Sequence, residues 1–381
     1  NEISTFPDYP AEVRAPQGTL SGVSGFQVHL GSRKIFTPGD KADVLVAMNP
    51  AALKVNVKNI KPNAIVIIDT DSFKKSDLDK ALFTTDDPFK ELGLNSVQVV
   101  AAPISTMVKD GLAEFGLDNK SALRSKNMFA LGLVCWLFDR PLEEAMHMLQ
   151  NKFAKKPVIA QANIKALTDG YNYGHNIHAS VSTYRIESKK AEPGFYTDVN
   201  GNKATSYGLI AAAEKAGLQL FLGSYPITPA TDILHELSKR KDLGVITVQA
   251  EDEIAGICTA IGGSFAGCLA ATSTSGPGLA LKSEAIGLAV IAELPLVVID
   301  VQRGGPSTGM PTKSEQTDLM QALYGRNGES PAVVVAASTP TDCFDAAYWA
   351  GKLAVEHMTP VILLTDAFIA NGSSAWKLPD L

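Results

Sequence analysis

Apolar residues recur along the chain in two rhythms. In the first half, the runs Asp43-Val-Leu-Val-Ala-Met48, Ala64-Ile-Val-Ile-Ile-Asp69 and Val97-Gln-Val-Val-Ala101 are short, β-branched and bounded by Pro, Asn and Asp, which predicts strands. Residues 127–138, 142–153 and 158–168 repeat apolar positions at intervals of three and four, which predicts amphipathic helices. Strands first interleaved with and then followed by helices predict an α/β domain around a parallel sheet. Residues 184–202 lose this rhythm and carry Ser188-Lys-Lys190, Pro193-Gly194 and Asn200-Gly201-Asn202, so they read as a linker. The second half is more regular. Apolar strands at 218–222, 244–249, 268–272, 296–301, 333–336 and 361–365 alternate with helices at 230–239, 252–265, 279–292, 314–324 and 342–356. Such a set predicts a doubly wound parallel sheet covered on both faces. The expected boundaries are an α/β domain over residues 1–185, a linker at 186–202 and a second α/β domain over 203–381.

Composition narrows the class. The 381 residues suit two domains, and 45% hydrophobic against 19% charged residues supply large cores and argue against disorder. With 34 basic and 40 acidic side chains the net charge is -6, and no basic run offers a nucleic-acid footprint. No apolar stretch reaches the roughly 20 residues of a membrane span, and no signal peptide is visible. Cys135, Cys258, Cys268 and Cys343 stand alone without a C-x-x-C pair. Reduced thiols in a cytoplasmic setting are expected, with no zinc or iron–sulfur site built from this chain alone. His29, His147, His175, His178, His235 and His357 show no ligand spacing. The chain opens on Asn1 rather than Met, and residues 1–20 read as a loop already under way.

In doubly wound sheets ligands sit at the carboxyl ends of the strands. That rule selects the loops at 223–229, 249–253, 273–278 and 302–312. Tyr225-Pro-Ile-Thr-Pro229 offers Thr228 as an N-cap and Pro229 as a first helical residue, yet its two prolines also fix a loop that can line a slot. Glu251-Asp-Glu253 places acids at a helix start, where they complement the dipole or, buried beside Ile254-Ala-Gly-Ile257, are tuned for proton transfer. Thr272-Ser-Thr-Ser-Gly-Pro-Gly278 has the small hydroxyls and glycines of an anion nest but is neither a P-loop nor G-x-G-x-x-G. Arg303 ends an apolar strand, where it serves either a bidentate grip on a carboxylate or a surface turn. Gly305, Ser307 and Gly309 satisfy G-x-S-x-G, and Asp342 or Asp345 and His357 follow in hydrolase order. Against a serine hydrolase, Gln302 through Gly305 separate the strand from the Pro306-Ser307 step, and Asp345 and His357 fall on one helical stretch.

The ordered set Tyr225-Pro-Ile-Thr-Pro229, Gln249-Ala-Glu-Asp-Glu-Ile254, Thr274-Ser-Gly-Pro-Gly278, Asp300-Val-Gln-Arg-Gly-Gly-Pro-Ser-Thr-Gly309 and Pro311-Thr-Lys-Ser-Glu-Gln-Thr-Asp318 resembles the α subunit of the 2-oxoacid:ferredoxin oxidoreductases. The first half resembles the γ domain that some members fuse in front, through Ser32-Arg-Lys-Ile-Phe-Thr-Pro38 leading into Ala42-Asp-Val-Leu-Val-Ala47 and through residues 127–132. The resemblance implies a γ-type α/β domain followed by the pyrimidine-binding domain of a thiamine-diphosphate enzyme. It implies that Glu253, with Glu251 as the competing residue, hydrogen-bonds N1′ of the cofactor's aminopyrimidine. It implies that Tyr225, Pro226 and Ile227 line the cofactor, and that Thr228 and Arg303 hold the substrate carboxylate. The fused order implies 2-oxoglutarate as substrate, with pyruvate and branched-chain 2-oxo acids as alternatives. Coenzyme A would be the co-substrate and ferredoxin the electron acceptor. Because no Gly-Asp-Gly with a following Asn is present, a β subunit is expected to bring magnesium, the diphosphate site and the iron–sulfur cluster, in a dimer of αβ units. Against the family, the γ-like half lacks an opening glycine-rich strand–turn–helix, and the α half stops before a further α/β domain. A fragment of a longer polypeptide is therefore expected.

Overall fold

The computed structural model describes residues 2–10, 19–32, 35–39, 41–177, 183–186 and 191–380. His178, Arg33 and Lys34 of the γ-like motif, residues 11–18 of the expected N-terminal loop and residues 187–190 of the expected linker lie outside the described residues. In chain order the strands are β1 (Glu2–Asp8), β2 (Gly25–Gly31), β3 (Ala42–Ala47), β4 (Ile60–Asp69), β5 (Gln98–Ala102), β6 (Tyr196–Asn200), β7 (Leu220–Ser224), β8 (Ile246–Gln249), β9 (Leu269–Thr274), β10 (Leu296–Gln302), β11 (Val333–Ala336), β12 (Pro360–Asp366) and β13 (Ser373–Lys377). Two compact units contain them: Asn1–Ala11 with Ser24–Pro38 and Lys189–Leu381, and Glu12–Val23 with Gly39–Ser188.

The unit that includes Gly39–Ser188 is built on the parallel sheet β3-β4-β5. Alternation along β4 sends Ile65 and Ile67 into a core with Phe129, Leu133 and Ala166, and Val66 and Ile68 into a second core with Ala47 and Leu53. Helices Lys126–Leu137 and Pro157–Asn176 approach closely because Gly132 and Gly170 carry no side chain. A Cβ on Gly132 would meet the Tyr171 amide nitrogen at 2.7 Å, and one on Gly170 the Phe129 carbonyl carbon at 2.8 Å. A larger residue at either position would push the two helices apart.

The other unit holds a six-stranded parallel sheet in the order β11-β12-β10-β9-β7-β8. Both faces are covered, as the continuous apolar strands require. Val297, Ile299 and Val301 pack with Ile233, Leu237 and Ala347, while Leu296 and Val298 pack with Ile257, Leu279 and Ile286. The chain leaves β7 for β8 on one side and returns to β9 on the other, so a topological switch point lies between β7 and β9.

A four-stranded antiparallel sheet, β2-β1-β13-β6, completes this unit. Sequence rhythm did not reveal it, because β6 and its partner β13 are remote from each other in the chain and β1 reaches β13 at a single position, Ser4 to Ser374. Thus the expected N-terminal loop contains β1, and the expected linker contains β6. The Asn200-Gly201-Asn202 signal is a helix start rather than a linker turn: the Asn200 side chain accepts from the Lys203 amide at 2.9 Å and caps helix Gly201–Ala216. The helix expected at 279–292 is two pieces, Gly276–Leu281 and Ser283–Ile291. The one expected at 314–324 shortens to Leu319–Tyr324, because Lys313 and Gln316 are tied elsewhere, to Asp8 and Asp366. No helix among the described residues is long and apolar enough to cross a membrane.

Candidate functional site

Four strands of the six-stranded sheet deliver their following loops to one edge. After β7, the Tyr225-Pro-Ile-Thr-Pro229 loop closes on itself through the Ala230 amide, which donates to the Ile227 carbonyl at 2.7 Å. Tyr225, Pro226 and Ile227 are half-buried, and the Thr228 side chain is exposed. The helix here begins at Thr231 with Ala230 in the cap position, so Thr228 is not its cap. The carbonyls of the loop are held from two sides. Asn202 Nδ2 donates to the Pro229 carbonyl at 2.9 Å, and Arg303 Nη1 to that of Thr228 at 2.7 Å.

After β8, the Asp252 side chain accepts from the Ala255 amide at 2.7 Å and caps helix Glu253–Phe265. Glu251 is left exposed, whereas Glu253 is half-buried at the first helical position. Its side chain runs across Gly278, where a Cβ would come within 2.8 Å of Glu253 Cγ. After β9, Ser275 takes the cap position of helix Gly276–Leu281, and its buried hydroxyl has no partner among the described residues.

After β10, Arg303 is only 7% exposed. Its Nη2 donates to the Thr308 carbonyl at 2.8 Å, while Nε, also buried, has no partner among the described residues. A guanidinium carries five donors, so two carbonyl bonds leave donor capacity for a further acceptor. Burial pulls its pKa down, and the carboxylate of Glu253, near enough to act on it, pulls the other way. Thr228, Glu253 and Arg303 are therefore brought together at the switch-point edge.

Two features of this edge carried no role in the sequence reading. Lys282 is fully buried and donates to the Glu253 carbonyl at 2.6 Å. Burial lowers its pKa to about 8, opposed by the charges of Glu253, Asp252 and Cys258. Asp300, on β10, is fully buried beside Asp318. Their signal in the sequence was a lone charge inside an apolar run, which folded proteins bury only with a partner or a purpose.

Other candidates do not converge. Ser307 lies on an exposed loop with no helix before Leu319, so no sharp strand-to-helix elbow presents it, and among the described residues no hydrogen bond joins it to a histidine. Among the described residues no group of three or more His, Cys, Asp or Glu side chains is placed to hold a metal ion. The donor set does suit an aminopyrimidine: a half-buried carboxylate at a helix start, a small-residue floor at Gly278 and unpartnered donors at Ser275 and Arg303.

Comparison with known proteins agrees with this class of site. Residues 211–381 match the family described as "Pyruvate flavodoxin/ferredoxin oxidoreductase, thiamine diP-bdg", and residues 1–173 match "Pyruvate ferredoxin/flavodoxin oxidoreductase". The chain belongs to the 2-oxoacid:ferredoxin oxidoreductase family. It is 52% identical over its whole length to the 2-oxoglutarate oxidoreductase subunit KorA of Mycobacterium tuberculosis, and it covers 58% of that protein. The 2-oxoglutarate synthase subunit KorA of Archaeoglobus fulgidus is 42% identical over 48% of this chain and 52% of its own length. Among solved structures, the 2-oxoglutarate:ferredoxin oxidoreductase from Magnetococcus marinus, with 2-oxoglutarate, coenzyme A and succinyl-CoA bound, superposes with a TM-score of 0.81 at 34% identity. The match covers all of this chain and 60% of that one. The chain thus spans little more than half the length of these relatives.

Proposed function

We propose that this chain supplies the pyrimidine-binding part of a thiamine-diphosphate-dependent 2-oxoacid:ferredoxin oxidoreductase that converts 2-oxoglutarate and coenzyme A to succinyl-CoA. The observation that carries this reading is the convergence of the motif loops at the switch-point edge, where Arg303 holds the Thr228 carbonyl, Glu253 lies over Gly278, and Arg303 Nε has no partner among the described residues. Thiamine diphosphate, when bound, supplies the electron sink that decarboxylation of a 2-oxo acid needs. Glu253 holds a proton at N1′ of its aminopyrimidine, a task suited to a half-buried carboxylate and not to the exposed Glu251. Tyr225, Pro226 and Ile227 form the wall against which the pyrimidine rests. Arg303 and the exposed hydroxyl of Thr228 hold the substrate carboxylate. Arg303 meets it with a charge already held in place by two backbone carbonyls, which limits reorganisation on binding.

The remaining parts belong to a β subunit: magnesium with the diphosphate site, and the iron–sulfur cluster that passes electrons to ferredoxin. Ile254, Leu281, Leu288 and Ile291 are large, exposed apolar residues on the helices that flank Glu253, a surface suited to such a partner. A dimer of αβ units completes the assembly. Free, exposed Cys258 suits the reducing cytoplasm.

The full-length protein with its partner subunit tests this reading through thiamine-dependent reduction of a viologen dye. We expect kcat/KM for 2-oxoglutarate to exceed that for pyruvate and branched-chain 2-oxo acids by roughly tenfold or more, because a site built around a polar group rejects substrates lacking it. Absence of thiamine-dependent turnover with every 2-oxo acid would overturn it.

A further inference from the structure

Between β10 and helix Leu319–Tyr324 the chain makes a long excursion that begins with Arg303 and returns to the sheet at Asp318. Its interior is tied by the Gly304 amide to the Lys313 carbonyl at 2.7 Å, the Met310 amide to the Gly304 carbonyl at 2.9 Å and the Gly305 amide to Glu315 Oε2 at 2.8 Å. Its returning end is tied to the sheet edge. The Asp318 amide donates to Gln302 Oε1 at 2.9 Å, and Gln316 Nε2 donates to Asp366 Oδ2 at 2.8 Å. One element at this base is chemically incomplete. Among the described residues, both carboxyl oxygens of Asp300 and Oδ2 of Asp318 are buried without a donor, and the bond of the Asp318 amide to Gln302, two positions along the same strand face, brings the two side chains together.

We propose that Asp300 and Asp318 share one proton in a carboxyl–carboxylate hydrogen bond that closes the base of the loop over residues 303–318, so that Asp300 is a positioning residue for Arg303 and loss of the proton opens the loop. Two carboxylates cannot donate to each other, so the contact requires a proton, and a fully buried acid paired with a half-buried one keeps it for that reason. The surroundings offer no cation in its place, and the Thr317 side chain donates to Asp318 but not to Asp300. The charged groups acting on the pair are the two aspartates themselves and Glu315, all acidic. Asp366, the other buried carboxylate on this face, already accepts from Gln316 and from the amides of Phe368 and Ile369. Lys282 is bound to the Glu253 carbonyl. The neighbours on β9 and β12 in register with Asp300 are Thr274 and Leu364, which are uncharged. Glycine at 276 leaves the space that Asp318 uses: a Cβ there would sit 2.5 Å from Asp318 Oδ2. Burial, then the charge and contact of Asp318, push the pKa of Asp300 well above the ordinary carboxylate value.

The proposal fixes a slope. In the closed loop the pair holds one proton; once opened above about pH 5, exposed aspartates hold none. Opening then releases one proton, and the opening equilibrium rises by about tenfold per pH unit until Asp300 ionises in place. Hydrogen exchange of peptides spanning residues 303–318, measured in the full-length complex from about pH 5 to 8 and corrected for intrinsic rates, reads this directly. We expect wild-type protection to fall by about tenfold per unit. It should be nearly flat in both Asp300→Asn and Asp318→Asn, where an amide donates without titrating. Using both variants guards against one failing to fold. A flat wild-type profile, an equal slope in the variants, or protection lost to a metal chelator overturns the shared proton. The link to substrate rests on the Arg303 grip proposed above: KM for the 2-oxo acid should climb with pH in the wild type, with kcat moving less, and stay level in Asp300→Asn. KM follows the open fraction, so at pH values where exchange shows the loop open in a sizeable share of molecules a level wild-type KM would uphold the shared proton and overturn that grip.

Discussion

Two parallel sheets in this chain each bury an aspartate at or near the carboxyl end of a strand flanked on both sides, and they treat it in opposite ways. Asp69 ends β4 with no exposed surface and is saturated with donors. It accepts from Ser105 Oγ at 2.6 Å, Ser72 Oγ at 3.0 Å, the amides of Ser105 and Asp71 at 3.2 and 3.3 Å, and Lys126 Nζ at 3.3 Å. Burial pushes its pKa up, but Ser105, Ser72 and Lys126 outweigh that and hold it below the ordinary value. Asp300 is equally buried and meets another acid instead. Near it, Arg303 Nε and Ser275 Oγ also lack partners among the described residues. A buried polar group without a partner is unfavourable by about 1–3 kcal/mol, so a fold accumulates several at one edge only where something else repays them. The first edge is finished as structure. The second holds donors in reserve, and it is the edge where the motif loops meet.

The contrast can be broken most severely at Arg303. Arg303→Met removes the free donors and strands the Thr228 and Thr308 carbonyls. We expect KM for the 2-oxo acid to rise by about 10²-fold, corresponding to roughly 3 kcal/mol of charge-assisted hydrogen bonding. Arg303→Lys should restore little, because an ammonium cannot span both carbonyls. Steady-state kinetics with an unchanged KM would remove the distinction between the edges. A smaller effect is expected at Asp69. Asp69→Asn should lower stability by about 1–3 kcal/mol near neutral pH, read as a drop in Tm of the full-length protein. Its pH dependence has a definite sign. Because the folded pKa is depressed, the stabilisation is present above the ordinary carboxylate pKa and is lost as pH falls through the depressed value. The variant should therefore lose less stability in acid than the wild type. Asp300 has the opposite sign: its pKa is raised, so its contribution is fullest in acid and fades as pH rises. A Tm profile in which both aspartates respond to pH in the same direction would erase the comparison.

The central strands β9, β10 and β12 were legible because parallel strands buried on both faces read as continuous apolar runs, and the edge strands β5, β8 and β11 because their short runs are rich in Val and Ile. The loops of the site were legible through the rule that places ligands at carboxyl ends, and the order of five motifs marked the family. Other features were hidden for physical reasons. Strands β6 and β13 are short and pair with each other across a long stretch of chain, and β1, which pairs with nearby β2 along its length, joins them where Ser4 faces Ser374. Their stability comes from that pairing and not from local rhythm. The helix at 279–292 is interrupted beside Lys282, whose side chain turns inward to the Glu253 carbonyl, a tertiary contact that periodicity does not carry. Asp300 stood in view within a motif, but its meaning needed Asp318, eighteen positions on and returned to the same edge by the fold.

The central claim is that Glu253, and not Glu251, serves the thiamine aminopyrimidine. Turnover and thiamine diphosphate binding of the full-length complex, compared between Glu253→Gln and Glu251→Gln, test it most directly. Glu253→Gln should lower kcat by about 10²–10⁴-fold, the range for loss of a general acid–base group, while still binding the cofactor. Glu251→Gln should turn over like the wild type. Full activity in Glu253→Gln, or its loss only in Glu251→Gln, would contradict the account.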